Sequence, residues 1–388
     1  MADGRPAGLT LANWDLGGEP SAWAYLHAGE LFASTEIRPR RRPAGLERAP
    51  QDVVADFPVR PGTSLDAYVA SGPVSGMVVV LGGRIVFERY PRMEPGDRHL
   101  LMSVTKAFTS AVVGILEQRG LLDPGQPVDA VLPELSGPGW AGVTGQDVLD
   151  MASGIGCPEV DGEGAYTDPD HPFYRFEASL GWRPGPDTST YSLVAGLPPG
   201  RPPGQVYEYT SVNTFVLSWL AERVTGRPFA EVLGREIWSA AGFEAPARLC
   251  VSAGGAPVSH GGLSVTLRDL ARFGMLFTPS SRVIADAPVI AEDDVRRIRP
   301  RRDLHRDPAG DVPGYAVAAY GGALPPPGRQ WDFVTDEGDL FKGGFGGQGL
   351  YVSPGRDLVV AFAGTPAGDG SVNQLRWFSR SLALSLRV

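Results

Sequence analysis

Strand-forming sequence stands toward both ends of this chain with helix-forming sequence between, an order that few folds accommodate. The run Met77-Val-Val-Val-Leu-Gly-Gly-Arg-Ile-Val-Phe-Glu-Arg-Tyr90 reads as two strands turned at Gly82-Gly83. Far downstream, residues 348–363 read as a second hairpin turned at Pro354-Gly355, followed by a closing helix over 371–387. Helical spacing marks 103–119, where Val104, Phe108, Val112, Ile115 and Leu116 share a face and Gly120 stops the run. Further helices are expected over 212–224, ended by Gly226, over 228–241, ended by Gly242, and over 266–277. Pro- and Gly-rich loops with short helical pieces fill 121–205 and are long enough to shape a pocket. The order points to an α+β plan in which both ends of the chain complete one antiparallel sheet. Residues 1–60 look like an extension packed on the body, residues 61–100 with 235–388 like a sheet domain, and 101–234 like a mostly helical subdomain.

Chemistry enters through lysine. Among 35 basic residues only Lys106 and Lys342 are Lys, so arginine carries the surface charge. A lysine retained in such a chain invites a chemical reason, because a buried ammonium gives up its proton and a guanidinium does not. Lys106 follows Ser103 by three places, so on a helix the two share a face. A serine in the first turn also offers its own N–H to an incoming carbonyl oxygen, where the positive helix end favours an oxyanion. Ser103 is thus a candidate nucleophile and Lys106 a candidate base, provided burial or a second cation lowers the lysine pKa. The bland alternative is an ordinary surface helix start.

Composition removes several classes. A formal charge of −9 and a pI near 5.2 argue against nucleic acid or an anionic membrane as partner. The arginine runs 38–42 and 296–302 read as solvated faces. No apolar stretch reaches the roughly 18 residues of a membrane span, and the N-terminus lacks a signal-peptide pattern, so a cytoplasmic location is expected. Cys157 and Cys250 form no framework, and the five histidines show no metal-binding spacing, so neither metal nor cofactor is expected. Gly344-Phe-Gly-Gly-Gln-Gly349 matches a dinucleotide fingerprint in letters only, since a strand rather than a helix follows it. No serine sits in a Gly-x-Ser-x-Gly elbow.

A second motif combines with the first. Tyr207-Glu-Tyr-Thr-Ser-Val-Asn213 directly precedes a long helix, and together with Leu101-Met-Ser-Val-Thr-Lys106 it resembles the penicillin-recognising serine hydrolases. These are the β-lactamases, D-Ala-D-Ala peptidases and related esterases and amidases. The resemblance implies a β-lactamase-like fold, an antiparallel sheet flanked by helices, and a proton-shuttling phenol at Tyr209. It places Phe341-Lys-Gly-Gly-Phe345 in the position of the Lys-Thr-Gly strand, with Lys342 standing for the motif lysine. It also implies that the N–H of Phe345 joins that of Ser103 as the oxyanion donors, with Gly346 beside them. Related hydrolases usually carry a His near this point, and this chain does not.

Within that superfamily the strings Val148-Leu-Asp-Met151, Tyr166-Thr-Asp-Pro169, Ser179-Leu-Gly-Trp182, His260-Gly-Gly-Leu-Ser264 and Arg329-Gln-Trp331 look like the nylon-oligomer (6-aminohexanoate-dimer) hydrolases. Those share the Tyr-x-Ser-x-Asn form found here at Tyr209, Ser211 and Asn213. The resemblance implies that Tyr166 assists the leaving amine and that Glu177, His260 and Trp331 face substrate, with Glu177 where an Asp is expected. The expected function is a serine hydrolase that forms an acyl-serine on a small linear amide or ester. An acyltransferase using the same site and a non-catalytic binding protein on the same fold are the alternatives. Whether the chain acts alone or as a homodimer is left open.

Overall fold

The computed structural model describes residues 4–160, 164–305, 320 and 322–386. Its main sheet has six antiparallel strands in the spatial order Arg84–Arg89, Val74–Leu81, Leu358–Gly364, Gln348–Ser353, Leu340–Gly344, Phe333–Val334. The first hairpin and the last therefore meet at its centre, where Val80 lies opposite Val359 and Val78 opposite Ala361. Side chains alternate across a strand, and here both faces are covered. Val78 and Val80 enter the larger core, whereas Met77 and Val79 enter a second core under the C-terminal helix Leu375–Ser385. Burial on both sides explains why the strand reads as a continuous apolar run rather than an alternating one. Gly82 and Gly83, at φ 57° and 76°, make the tight turn expected of them.

The second hairpin turns through Pro354–Arg356 and a left-handed Asp357, two residues further than its Pro-Gly signal suggests. The stretch expected as one helix over 228–241 divides into Phe229–Leu233 and a wider π turn, Gly234–Trp238, where the Trp238 ring stacks on Phe243. Helix Leu267–Met275 is capped by Thr266, whose hydroxyl accepts from Asp269 N, and it packs on the central strands. The C-terminal helix starts at Leu375, later than expected.

A four-stranded sheet was not anticipated. It pairs Ser34–Ile37 with Ala247–Cys250, then Leu263–Val265, then His99–Leu100. The N-terminal segment thus contributes an edge strand as well as packing. Its Trp14 indole N–H donates to Trp182 O at 3.1 Å, and its Asp15 forms a buried two-pronged pair with Arg183 at 2.9 and 2.5 Å. The second arginine run lies largely in surface ion pairs, Arg296 with Glu292 and Asp293, Arg297 with Asp294. Among the described residues no helix is long and apolar enough to cross a membrane.

Candidate active site

Ser103 lies in a short 3₁₀ turn, Met102–Val104, that runs directly into the buried helix Thr105–Gln118. The turn is anchored from the four-stranded sheet: Leu101 N donates to Leu263 O at 2.8 Å, and Leu263 N donates to the Thr105 hydroxyl at 3.3 Å. Met102 is held at φ 47°, a left-handed conformation that costs a side-chain-bearing residue about 1 kcal/mol or more. Backbone strain therefore sits immediately before the candidate nucleophile, and half-buried Ser103 is displayed at the head of a 14-residue helix.

One turn on, Lys106 is fully buried, and its ammonium reaches Ser103 Oγ at 3.0 Å, Ser211 Oγ at 2.9 Å and His260 O at 3.2 Å. All three partners are neutral. Burial is the main cause that pulls its pKa down to about 7, and the nearby Lys342 charge adds to it; Glu159, Asp332 and Glu177 pull the other way. Ser211 opens the helix Ser211–Thr225, which packs on the Lys106 helix, so two helices from separate parts of the chain meet at this amine.

Tyr209 precedes that second helix by two residues. Its ring lies between two ammoniums, with Lys106 Nζ 4.9 Å and Lys342 Nζ 4.8 Å from the ring centroid. Burial, reinforced by Glu159 and Asp332, holds the phenol well above its ordinary pKa, while hydrogen bonding with Ser103 opposes this. At neutral pH Tyr209 is thus a protonated phenol beside the serine. Lys342 is not a solvated strand-edge residue: it is fully buried, 3.4 Å from the Tyr209 hydroxyl, and its ammonium meets Asp332 Oδ1 at 2.5 Å. The second Asp332 oxygen accepts from Gly343 N at 2.9 Å, which fixes the carboxylate against the strand.

That strand ends in the tip Phe345-Gly-Gly347. A Cβ on Gly344 would stand 2.5 Å from Leu101 O, so the hairpin crosses the Ser103 turn in backbone-to-backbone contact that any larger residue would part. Phe345 follows at once and is 55% exposed. Gly344→Ala is accordingly expected to cost about 1–3 kcal/mol of stability through overpacking and to lower kcat/KM about tenfold by moving the Phe345 amide, as checked by thermal melts and ester kinetics.

The remaining predicted residues separate into two groups. Glu177, on helix Pro172–Ser179, accepts from His260 Nε2 at 2.9 Å, and both are buried; His260 in turn reaches Lys106 through its carbonyl. Tyr166 is 44% exposed and its hydroxyl donates to Glu159 at 2.9 Å. These three, with the Glu159 that Tyr166 meets, stand around the Ser103–Lys106 pair and Ser211. Three others are held in packed surroundings. Trp331 is 1% exposed, edge-on to Phe277 in the larger core, and its indole N–H has no partner among the described residues. Asn213 turns inward on its helix, where its amide donates to Met151 Sδ at 3.6 Å. Gly346, at φ 96°, is a packing glycine, since a Cβ there would meet the Tyr25 ring at 2.8 Å.

Two residues at the centre of this cluster, Glu159 and Asp332, were missed. Asp332 lies beside the two-residue strand Phe333–Val334, and its partner Lys342 lies one place past the facing Phe341, a pairing visible only once that strand is known. Glu159 lies in a loop with no periodic signal. Among the described residues no group of three or more His, Cys, Asp or Glu side chains is arranged to hold a metal ion.

The serine, lysine and tyrosine thus gather where a hairpin crosses two helix starts. The family model described as beta-lactamase matches residues 63–384, which span most of the chain and all three side chains. The chain belongs to the beta-lactamase family. Like other hydrolases of that family, it is a serine hydrolase of amidase or esterase type. It is 31% identical over 379 residues to the 6-aminohexanoate-dimer hydrolase of Paenarthrobacter ureafaciens, with 92% of this chain and 88% of that protein covered. A solved structure from Bacillus anthracis, described as a candidate 6-aminohexanoate-dimer hydrolase, superposes with a TM-score of 0.77 at 23% identity, covering 98% of this chain and 97% of that one. A hydrolase described as having promiscuous acyltransferase activity, EstCE1, shares the beta-lactamase-family fold at a TM-score of 0.59 and 14% identity, covering 82% of this chain and 96% of its own.

Proposed function

We propose that this protein cleaves small linear amides or carboxylic esters through an acyl-serine intermediate. The observation that carries the reading is the 3.0 Å contact between Ser103 Oγ and a fully buried Lys106 whose pKa is brought down to about 7. An ordinary lysine at 10.5 would be neutral in only about three molecules in ten thousand at pH 7, whereas a pKa near 7 leaves a large neutral fraction. Ser103 Oγ bonds to the substrate acyl carbon as its proton passes to neutral Lys106. The carbonyl oxygen becomes an oxyanion held by the N–H groups of Ser103 and Phe345. Breaking the C–N or C–O bond needs a proton on the leaving atom, and Tyr209, a phenol placed between Lys106 and Lys342, delivers it while being reprotonated from Lys106. Water then attacks the acyl-serine, giving its proton back through the same residues, and the carboxylic acid leaves.

The substrate class rests on the relative's name, and the half-exposed Tyr166, hydrogen-bonded to Glu159, is the group placed to meet a leaving amine. The acyl group can also pass to an alcohol or amine in place of water, the reading that EstCE1's acyltransferase activity keeps in view. Intact-mass spectrometry across p-nitrophenyl esters and linear amides, including the 6-aminohexanoate dimer, tests the intermediate. An adduct of acyl mass on Ser103 supports the proposal, and turnover without any adduct under rapid quench would count against it. Product analysis with added alcohol or amine separates hydrolysis from transfer. Tyr209→Phe keeps the ring between the two ammoniums and removes the proton carrier, so kcat is expected to fall about 10²-fold or more while the fold is kept, as read by steady-state kinetics beside circular dichroism.

A further inference from the structure

The two buried lysines that flank Tyr209 are neutralised in different ways. Lys342 has a carboxylate in direct contact, Asp332 at 2.5 Å. Lys106 has two hydroxyls and a carbonyl, and among the described residues it forms no ion pair. Glu159 is its converse. It is 6% exposed, and both its contacts are neutral donors: the Tyr166 hydroxyl at 2.9 Å and the backbone N–H of Ser211 at 2.6 Å.

Ser211 touches both charges, since its hydroxyl takes the Lys106 ammonium and its N–H gives to Glu159. A buried ammonium and a buried carboxylate, each without a direct counterion among the described residues, are therefore separated by a single residue. A charge left alone in such surroundings is costly, so each lowers the cost of the other across Ser211. We propose that Glu159 is a positioning residue of this site, an indirect counterion that fixes Ser211 and Tyr166 in place and sets the charge balance at Lys106. The inference rests on the acyl-serine reading and deepens it.

The groups that act on Lys106 are the carboxylates Glu159, Asp332 and Glu177 and the Lys342 ammonium, with Tyr209 and the His260 carbonyl side packed around it. Asp332 is engaged by Lys342, so its charge is answered directly, and Glu177 is hydrogen-bonded to the His260 ring. Glu159 is answered by neutral donors and is the largest of the charged influences, opposing burial. A carboxylate there favours the protonated lysine. Its removal should let Lys106 lose its proton at lower pH and leave it a weaker base.

The test is the pH profile of kcat/KM for p-nitrophenyl acetate. Glu159→Gln is near-isosteric and can still bond Tyr166 and Ser211, yet it carries no charge. Its acidic limb is expected to move down by about one pH unit, with a plateau about tenfold lower. Tyr166→Phe removes one contact but leaves the carboxylate, so its limb should stay where the wild-type limb lies. A Glu159→Gln limb superimposed on the wild-type one would overturn the proposal. Should Glu159→Gln fail to fold, Glu159→Ala assayed with and without formate carries the same comparison: a limb lowered without formate and restored by it supports the proposal, and a limb indifferent to both overturns it. The acyl adduct on Ser103, measured in parallel, reports separately on the underlying reading, because Glu159→Gln should still form it.

Discussion

Ser103→Ala is expected to lower kcat/KM for p-nitrophenyl acetate by about 10⁴-fold or more and to erase the acyl adduct from intact-mass spectra. The size follows from what the substitution leaves behind. On the proposed mechanism the N–H groups of residues 103 and 345 would still hold a carbonyl oxygen, so some rate over water survives, but no atom is left to form the covalent bond. The fold should be indifferent. Ser103 is half-buried, and its hydroxyl accepts from a Lys106 that keeps Ser211 Oγ and His260 O as partners, so the change in stability should stay within about 1 kcal/mol. Loss of activity together with an unmoved melting curve is the expected result. A residual rate within tenfold of wild type would mean that Ser103 does not carry the acyl group.

The parts of this site that could be read in advance are those whose position depends on local spacing. Lys106 reaches Ser103 because three places on a helix return to one face, and its isolation in an arginine-rich chain marks it. Strand Val74–Leu81 announces itself as a long β-branched run because both of its faces are buried. The four-stranded sheet gave no such signal: its members are two to four residues long, too short for two-residue alternation to rise above chance. The same brevity hid Asp332. Glu159 was hidden for another reason, since a buried loop carboxylate is defined wholly by what folds against it, here Tyr166 from one side and a helix start from the other. Trp331, which a resemblance in letters places facing substrate, has its ring packed edge-on against Phe277 in the core.

Lys106→Met should separate catalysis from stability in one variant. Activity is expected to fall about 10³-fold or more, because methionine offers no group to take the Ser103 proton, and the acidic limb near pH 7 should vanish from what remains. Stability is expected to move the other way. In the unfolded chain the lysine titrates near 10.5 and in the fold near 7, so between those values the unfolded state binds the extra proton and folding is penalised. The wild-type protein therefore gains stability from this group as pH rises from about 7 to about 10.5, at up to about 1.4 kcal/mol per pH unit. Methionine fills nearly the same volume with no charge to desolvate, at the cost of leaving Ser211 Oγ and His260 O without their donor, about 1 kcal/mol each. The variant should melt higher than wild type at pH 6–7, with the difference shrinking toward pH 10. Such a crossing of activity against stability is the signature of a residue kept for chemistry. A variant that melts lower than wild type at every pH would show instead that Lys106 holds the structure together, and the case for it as the base would fall.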